Sequence, residues 1–148
     1  MPDVRPLHAV VFRVGGVVCA LPAGVVREIL PAVPPTRVPG VAPSIEGLVN
    51  VRGGLVTVVD GHVLLGQPRP AAAELAVLLL DRGGKVAGLT VGEVLDFLEV
   101  PSAAVASREQ LPGVDPSIVR AVGEWAGRRF VLLDLDALLV PLLGGSQT

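Results

Sequence analysis

The chain carries its own plan twice. Gly15-Gly16-Val17-Val18-Cys19-Ala20-Leu21 lies over Gly83-Gly84-Lys85-Val86-Ala87-Gly88-Leu89 at an offset of 68 residues. The offset holds without a gap through the next stretch, setting Gly24 on Gly92, Val26 on Val94, Glu28 on Asp96, Ile29 on Phe97 and Leu30 on Leu98. Further on, Thr57-Val58-Val59-Asp60 meets Val131-Leu132-Leu133-Asp134 at an offset of 74. The six added residues fall in a loop, where insertions are tolerated. Two units, about residues 9–68 and 74–140, must therefore share one local shape within a 148-residue chain of single-domain size.

Composition says what that shape is. Half of the chain (51%) is hydrophobic, yet only 3% is aromatic and there is no Tyr, so the core is built from Val, Leu and Ala. The Val excess favours strands. Gly 18 and Pro 14 cut the chain into short elements, which argues against long helical bundles. Strands are read at His8 to Val14, Val17 to Leu21, Ile45 to Val51, Leu55 to Val59, Leu75 to Leu80, Lys85 to Val91 and Glu93 to Val100. A last hairpin runs from Ile118 to Glu124 and from Arg129 to Leu133 around Gly127. Val25 to Leu30 is a strand, or a helical turn followed by one, since periodicity cannot decide over so few residues. Pro31 to Pro43 and Pro101 to Pro116 read as loops, and Gln67 to Ala73 as the linker between units. Asp60 and Asp134 stand where each can cap a short helical segment, the second running from Leu135 to Leu139. Residues after Leu143 are expected to fray. Each unit is thus about five short strands ending in a helical turn. Curling each sheet into a small barrel removes most exposed edges, and two barrels side by side leave a groove between them.

Several functions are disfavoured. A net charge of −2, from 12 basic and 14 acidic residues, and the lack of aromatic platforms argue against nucleic-acid binding. One cysteine, Cys19, allows no internal disulfide, and with two histidines, His8 and His62, no metal site is expected. The longest aliphatic run, Leu75 to Leu80, is too short to span a bilayer, and no signal peptide is read at Met1 to Pro6. No G-x-S-x-G, P-loop or G-x-G-x-x-G pattern occurs, so no enzyme activity and no cofactor are expected. Cys19 reads as an inert core thiol, His62 as weak evidence for a titrating group, and Trp125 as packing over a barrel end or marking a contact.

One stretch is more specific. Ile45-Glu46-Gly47-Leu48-Val49-Asn50-Val51-Arg52-Gly53-Gly54, followed by an apolar strand ending in Asp60, carries a Gly-x-x-Asn-x-Arg-Gly core. With Val17 to Leu30, Val86 to Val94 and Leu132 to Leu139, it resembles the CheW family of bacterial chemotaxis coupling proteins over about residues 9 to 140. The resemblance implies an all-β fold of two pseudo-symmetric five-stranded SH3-like barrels with a short C-terminal helix, in a single CheW-like domain. It implies a non-catalytic adaptor that joins methyl-accepting chemotaxis receptors to the regulatory domain of the CheA histidine kinase. Such an adaptor is cytoplasmic, sits at receptor arrays near the inner membrane, and does not insert into the membrane. The chain departs from the family pattern at Thr57 (usually Pro), Gly61-His62 (Leu-Arg), Gly92 (Asp) and Arg120 (Gly). An accessory adaptor of a second motility or development pathway, binding receptor but not kinase, is the alternative.

Candidate partner-binding residues follow. From the residues alone, Arg52 is a solvated turn residue or an internal partner of Asp60; the resemblance places its match in the contact region. Arg pairs with carboxylates through two parallel hydrogen bonds. Asn50 reads chiefly as a turn holder, with Gly47 and Gly53 serving close backbone approach or positive φ. Val26, Ile29, Leu89, Val91 and Val94 read as core by default, while the resemblance puts the Val26 and Val91/Val94 regions on the inter-barrel groove; Glu28 completes the set. A small-ligand barrel remains a rival, and would need a groove with convergent polar groups.

Overall fold

A computed structural model describes residues 6–101, 105–106, 114, 116–125 and 127–139. The first unit gives β1 (Leu7–Val14), β2 (Val17–Pro22), β3 (Val26–Pro31), β4 (Ile45–Val51), β5 (Gly54–Asp60) and α1 (Gly61–Leu64). The second gives β6 (Ala76–Arg82), β7 (Lys85–Val91), β8 (Val94–Val100), β9 (Val105–Ala106), β10 (Val119–Trp125) and β11 (Arg128–Leu133), then a helical turn, α2, at 135–139. β2 and β3 start 68 residues before β7 and β8, and β4 and β5 start 74 residues before β10 and β11. The repeat read from sequence is thus a repeat of elements. Between β2 and β3 lies a turn of 3-10 helix at Ala23–Val25, the second of the two readings of that stretch.

The repeats are not themselves the barrels. One sheet runs β8-β1-β2-β11-β10-β9 and the other β3-β6-β7-β5-β4. Each first hairpin, β1–β2 or β6–β7, is inserted between the third strand and the last hairpin of the other repeat. The joins are parallel, with Cys19 opposite Val131 and Ala20 opposite Leu132 in one sheet, and Val58, Val59 and Asp60 opposite Gly88, Leu89 and Thr90 in the other. The cause of the exchange is visible after β7. The Gly92-Glu93 link does not turn back on β7; the Gly92 N–H donates to the Arg13 carbonyl and the Arg13 N–H to the Glu93 carbonyl, both at 2.8 Å. That steers β8 onto β1. A Cβ at position 92 would lie 2.8 Å from the Arg13 oxygen, so the glycine suits this close approach, at a place where the resembled family has Asp.

Two apolar clusters hold the sheets. The larger joins them face to face, with Phe12, Leu21, Leu78, Leu80, Leu89 and Val91 all buried. The smaller fills the first barrel, around Phe130, Val11 and Leu132. Cys19 is buried, and burial pushes its thiol pKa up, as expected of an inert core thiol. Both acidic caps form: the Asp60 carboxylate accepts the His62 N–H at 2.9 Å, and that of Asp134 accepts the Ala137 N–H at 3.2 Å. The stretch read as a linker is fastened instead. The Gln67 side chain accepts the Gly16 N–H at 2.9 Å, and Arg69 is ion-paired. Most of the Pro101 to Pro116 loop, the Trp125 side chain and the tail after Leu143 lie outside the described residues.

Phe130 is the largest side chain of the first barrel's interior and is 1% exposed. Phe130→Ala should cost about 3–5 kcal/mol, read as a lower urea midpoint at unchanged slope.

Candidate partner-binding site

The site begins with a turn. Val51 faces Gly54 across the β4–β5 hairpin, so Arg52-Gly53 is a two-residue loop with φ of +50° and +85°. Such loops favour Asn or Gly, because a Cβ crowds the backbone at positive φ. Arg52 is the only non-glycine at positive φ among the described residues. The turn is held as anticipated: the Gly53 N–H donates to Asn50 Oδ1 at 2.9 Å. Nothing lies within 4 Å of a Cβ on Gly53, so its role is conformational. Gly47 has the other role: at φ +144° its missing Cβ would sit 2.1 Å from the Thr36 carbonyl oxygen. Thr36 and Leu48 exchange two backbone hydrogen bonds there, at 2.8 Å each, which pins the proline-rich loop to β4.

From this turn Arg52 reaches Glu28 on β3. One guanidinium nitrogen donates to Oε2 at 2.7 Å and the other to Oε1, a fork-to-fork pair. The internal partner is therefore Glu28, not Asp60. β3 and β4 are the opposite edges of the second sheet, so the pair clasps two free edges together. Arg52 stays largely exposed, with Glu28 half-buried beneath it. The hydrogen bond from Arg52, and then its charge, hold the Glu28 carboxyl below the usual glutamate range.

The other expected residues part company. Leu89 and Val91 are 2% and 0% exposed and close the core between the sheets, leaving no surface for a partner. Val26 packs on that core from the β3 edge. Val94 does line an inter-sheet groove of about 660 Å³, beside Ile29, Arg13, Arg69 and Glu93. The expected groove thus exists, but Ile29 rather than Val26 or Val91 shares it with Val94.

Sequence reading missed a polar cluster behind the site. Asp60, His62 and Thr90 are buried. Arg69 donates from one nitrogen to Glu46 at 2.5 Å and to Asp60 at 2.9 Å, and the Thr90 hydroxyl donates to the other Glu46 oxygen. His62 Nδ1 stands 2.9 Å from Asp60 Oδ1, and an ionised carboxylate only accepts, so Nδ1 carries the proton. Burial works against the Arg69 charge, but the hydrogen bonds it donates to Glu46 and Asp60 outweigh it and raise its pKa. The Glu46, Asp60 and Arg69 side chains also face a cleft of about 600 Å³ under the proline-rich loop. The only sequence signal was an Arg among prolines.

Two measurements check this geometry. Glu28 should titrate below the ordinary glutamate value of about 4.3, and Arg52→Gln should return it there, read by carboxyl NMR. Because the folded value is the lower one, the pair's contribution is present above the unfolded value and lost as pH falls through the folded one. Arg69→Met leaves two carboxylates facing each other and should cost about 1–3 kcal/mol in urea unfolding, the upper part of the range being damped by solvent around a partly exposed Arg.

Comparison with known proteins places this geometry. The CheW-like domain profile matches residues 8–141. Protein PilI of Pseudomonas aeruginosa is 32% identical over 116 residues, covering 78% of this chain and 64% of PilI, so the match spans less than two thirds of that relative. The chemotaxis protein CheW of Rhizobium meliloti is 28% identical over 131 residues, 87% of this chain and 84% of that one. The crystal structure of the scaffolding protein TtCheW from Thermoanaerobacter tengcongensis superposes with a TM-score of 0.82 at 22% identity, over 94% of this chain and 90% of that one. The fold is that of TtCheW, and the profile runs from within β1 to beyond β11: the chain belongs to the CheW-like domain family.

Proposed function

We propose that this CheW-like scaffold is a non-catalytic adaptor coupling chemoreceptors to the CheA histidine kinase. The observation that carries the reading is the Arg52–Glu28 clasp. An arginine is kept at positive φ, exposed, on a rigid hairpin, with its carboxylate partner lying beneath it. Backbone strain of this kind persists where surrounding structure enforces it, and it gathers at functional sites. Arg is also enriched in the energetic centres of interfaces. The clasp presents a planar guanidinium face and an apolar surround from Val33 and Leu30. The inter-sheet groove, with Ile29 and Val94, offers a second surface suited to the apolar side of a helix. The mechanism is geometric: holding receptor and kinase together passes receptor motion to the kinase. Working at a receptor array beneath the inner membrane needs no span of its own, and no helix among the described residues is long and apolar enough to cross a membrane.

A second reading has one observation in its favour. The relative named PilI, rather than a chemotaxis protein, matches at higher identity than the Rhizobium meliloti CheW. It supports an accessory adaptor of a second pathway; that such an adaptor binds receptor and has lost kinase binding is part of the proposal.

Co-sedimentation with a receptor signalling fragment and the kinase, singly and together, separates the two. The coupling reading expects capture of both; capture of receptor alone supports the accessory reading, and capture of neither cognate partner by folded protein overturns both. Arg52→Glu should cut capture about tenfold or more with a nearly unchanged melt. The swap Arg52→Glu with Glu28→Arg rebuilds the clasp in reverse. If the swap restores capture, Arg52 is a structural brace and not a contact.

A further inference from the structure

The two barrels differ inside. The first holds Ala9, Val11, Leu98, Phe130 and Leu132. The repeat sets these against Val77, Leu79, Leu30, Val56 and Val58 in the second. Phe130 is enclosed, and a Cβ on Gly123 would fall 2.3 Å from its ring, so the ring occupies the space over β10. At the matching places the second barrel has Val56 and Val49, with no ring. Its larger residues on β6, Val77 and Leu79, thicken the floor only. What remains is a cavity of about 250 Å³ walled by Leu30, Val49, Val56, Val58, Val77 and Leu79. Asn50 and Arg52 stand at its mouth, and both are engaged already: the Asn50 oxygen with Gly53, the guanidinium with Glu28. The wall therefore offers an occupant apolar contact and no free charge.

We propose that this cavity binds a small uncharged aromatic molecule of one or two rings, of the toluene or indole class. An aliphatic-lined cavity of about 150 Å³ stays dry and takes up benzene, so this one has the volume. The molecule itself sets the shape, since the same place in its other barrel is filled by a phenyl ring. Binding here needs no receptor and no kinase, so the inference stands apart from the adaptor reading.

The test is a titration of the full chain with toluene, indole and benzoate, followed by methyl NMR and by thermal melting. Toluene and indole should give saturable shifts centred on the Leu30, Val56, Val77 and Leu79 methyls and a higher melting temperature, with benzoate weaker. Val56→Phe should fill the space and lose those shifts. Because the new ring meets Val49, the double variant Val56→Phe with Val49→Gly rebuilds the Phe130–Gly123 arrangement and should lose them with the fold intact. No saturable shift with either neutral ring overturns the proposal. So does tighter binding of benzoate than toluene, which makes the mouth an anion site. Sedimentation equilibrium supplies the remaining arm: self-association lost in both Phe97→Ala and Val56→Phe would mean that the exposed Phe97 of a second copy fills the cavity, which also overturns it.

Discussion

The exchange of hairpins between repeats is the constraint on which the rest depends. Neither repeat contains a complete sheet, so each can bury its first hairpin only against strands of the other. The crossing after β7 requires backbone to pass close to backbone, and Gly92 leaves room for it. Once β8 lies along β1, the parallel joins of β2 to β11 and of β7 to β5 follow, and with them the shared core. The two barrels are chemically joined halves of one packing problem rather than two beads on a string.

The elements were legible in the sequence because their causes are local. Gly15-Gly16, Arg52-Gly53 and Gly83-Gly84 mark hairpins through φ alone, and the two Asp caps are set by a side chain two or three residues from its donor. Pairing was not legible, because β1 lies beside a strand far along the chain, with Leu7 opposite Val100 and Phe12 opposite Val94. The same divide runs through the site. Asn50, Gly47 and Gly53 act within their own loop or on the next backbone, and their roles were readable. Arg52 was singled out, yet its partner was misassigned: Glu28 lies at the far edge of the sheet, and only closure brings the two edges together. Leu89 and Val91 belong to the shared core, which exists only after the exchange. Arg69 was passed over, and His62 read only as weak evidence for a titrating group, because their partners, Glu46 and Asp60, read as an ordinary strand residue and a cap.

Polar chemistry is distributed unevenly over the two sheets. In the second, Glu28 at the edge pairs with Arg52, Asp81 on β6 pairs with Arg27, and Glu46 and Asp60 at the base of the β4–β5 hairpin share Arg69. The buried group at the base ties Arg69, and with it the segment after α1, to the hairpin, so the exposed clasp above stands on a fixed support. The first sheet has an aromatic plug where the second has an open interior, and it keeps its exposed apolar residue, Phe97, on the outer strand. Repetition built two similar frames; divergence made one a filled brace and the other a surface with depth.

The backbone of Arg52 sets the ease of the turn against the clasp it carries. Glycine would adopt φ +50° without crowding, and asparagine nearly so. Either change would relax the turn and give up the fork-to-fork pair with Glu28, so an unstrained turn and the closed pair of edges cannot both be had at this position. Selection for heat tolerance at this residue therefore acts on the difference of two effects, a local one in the turn and a long-range one between the sheet edges, and salt shifts the balance because it screens only the second.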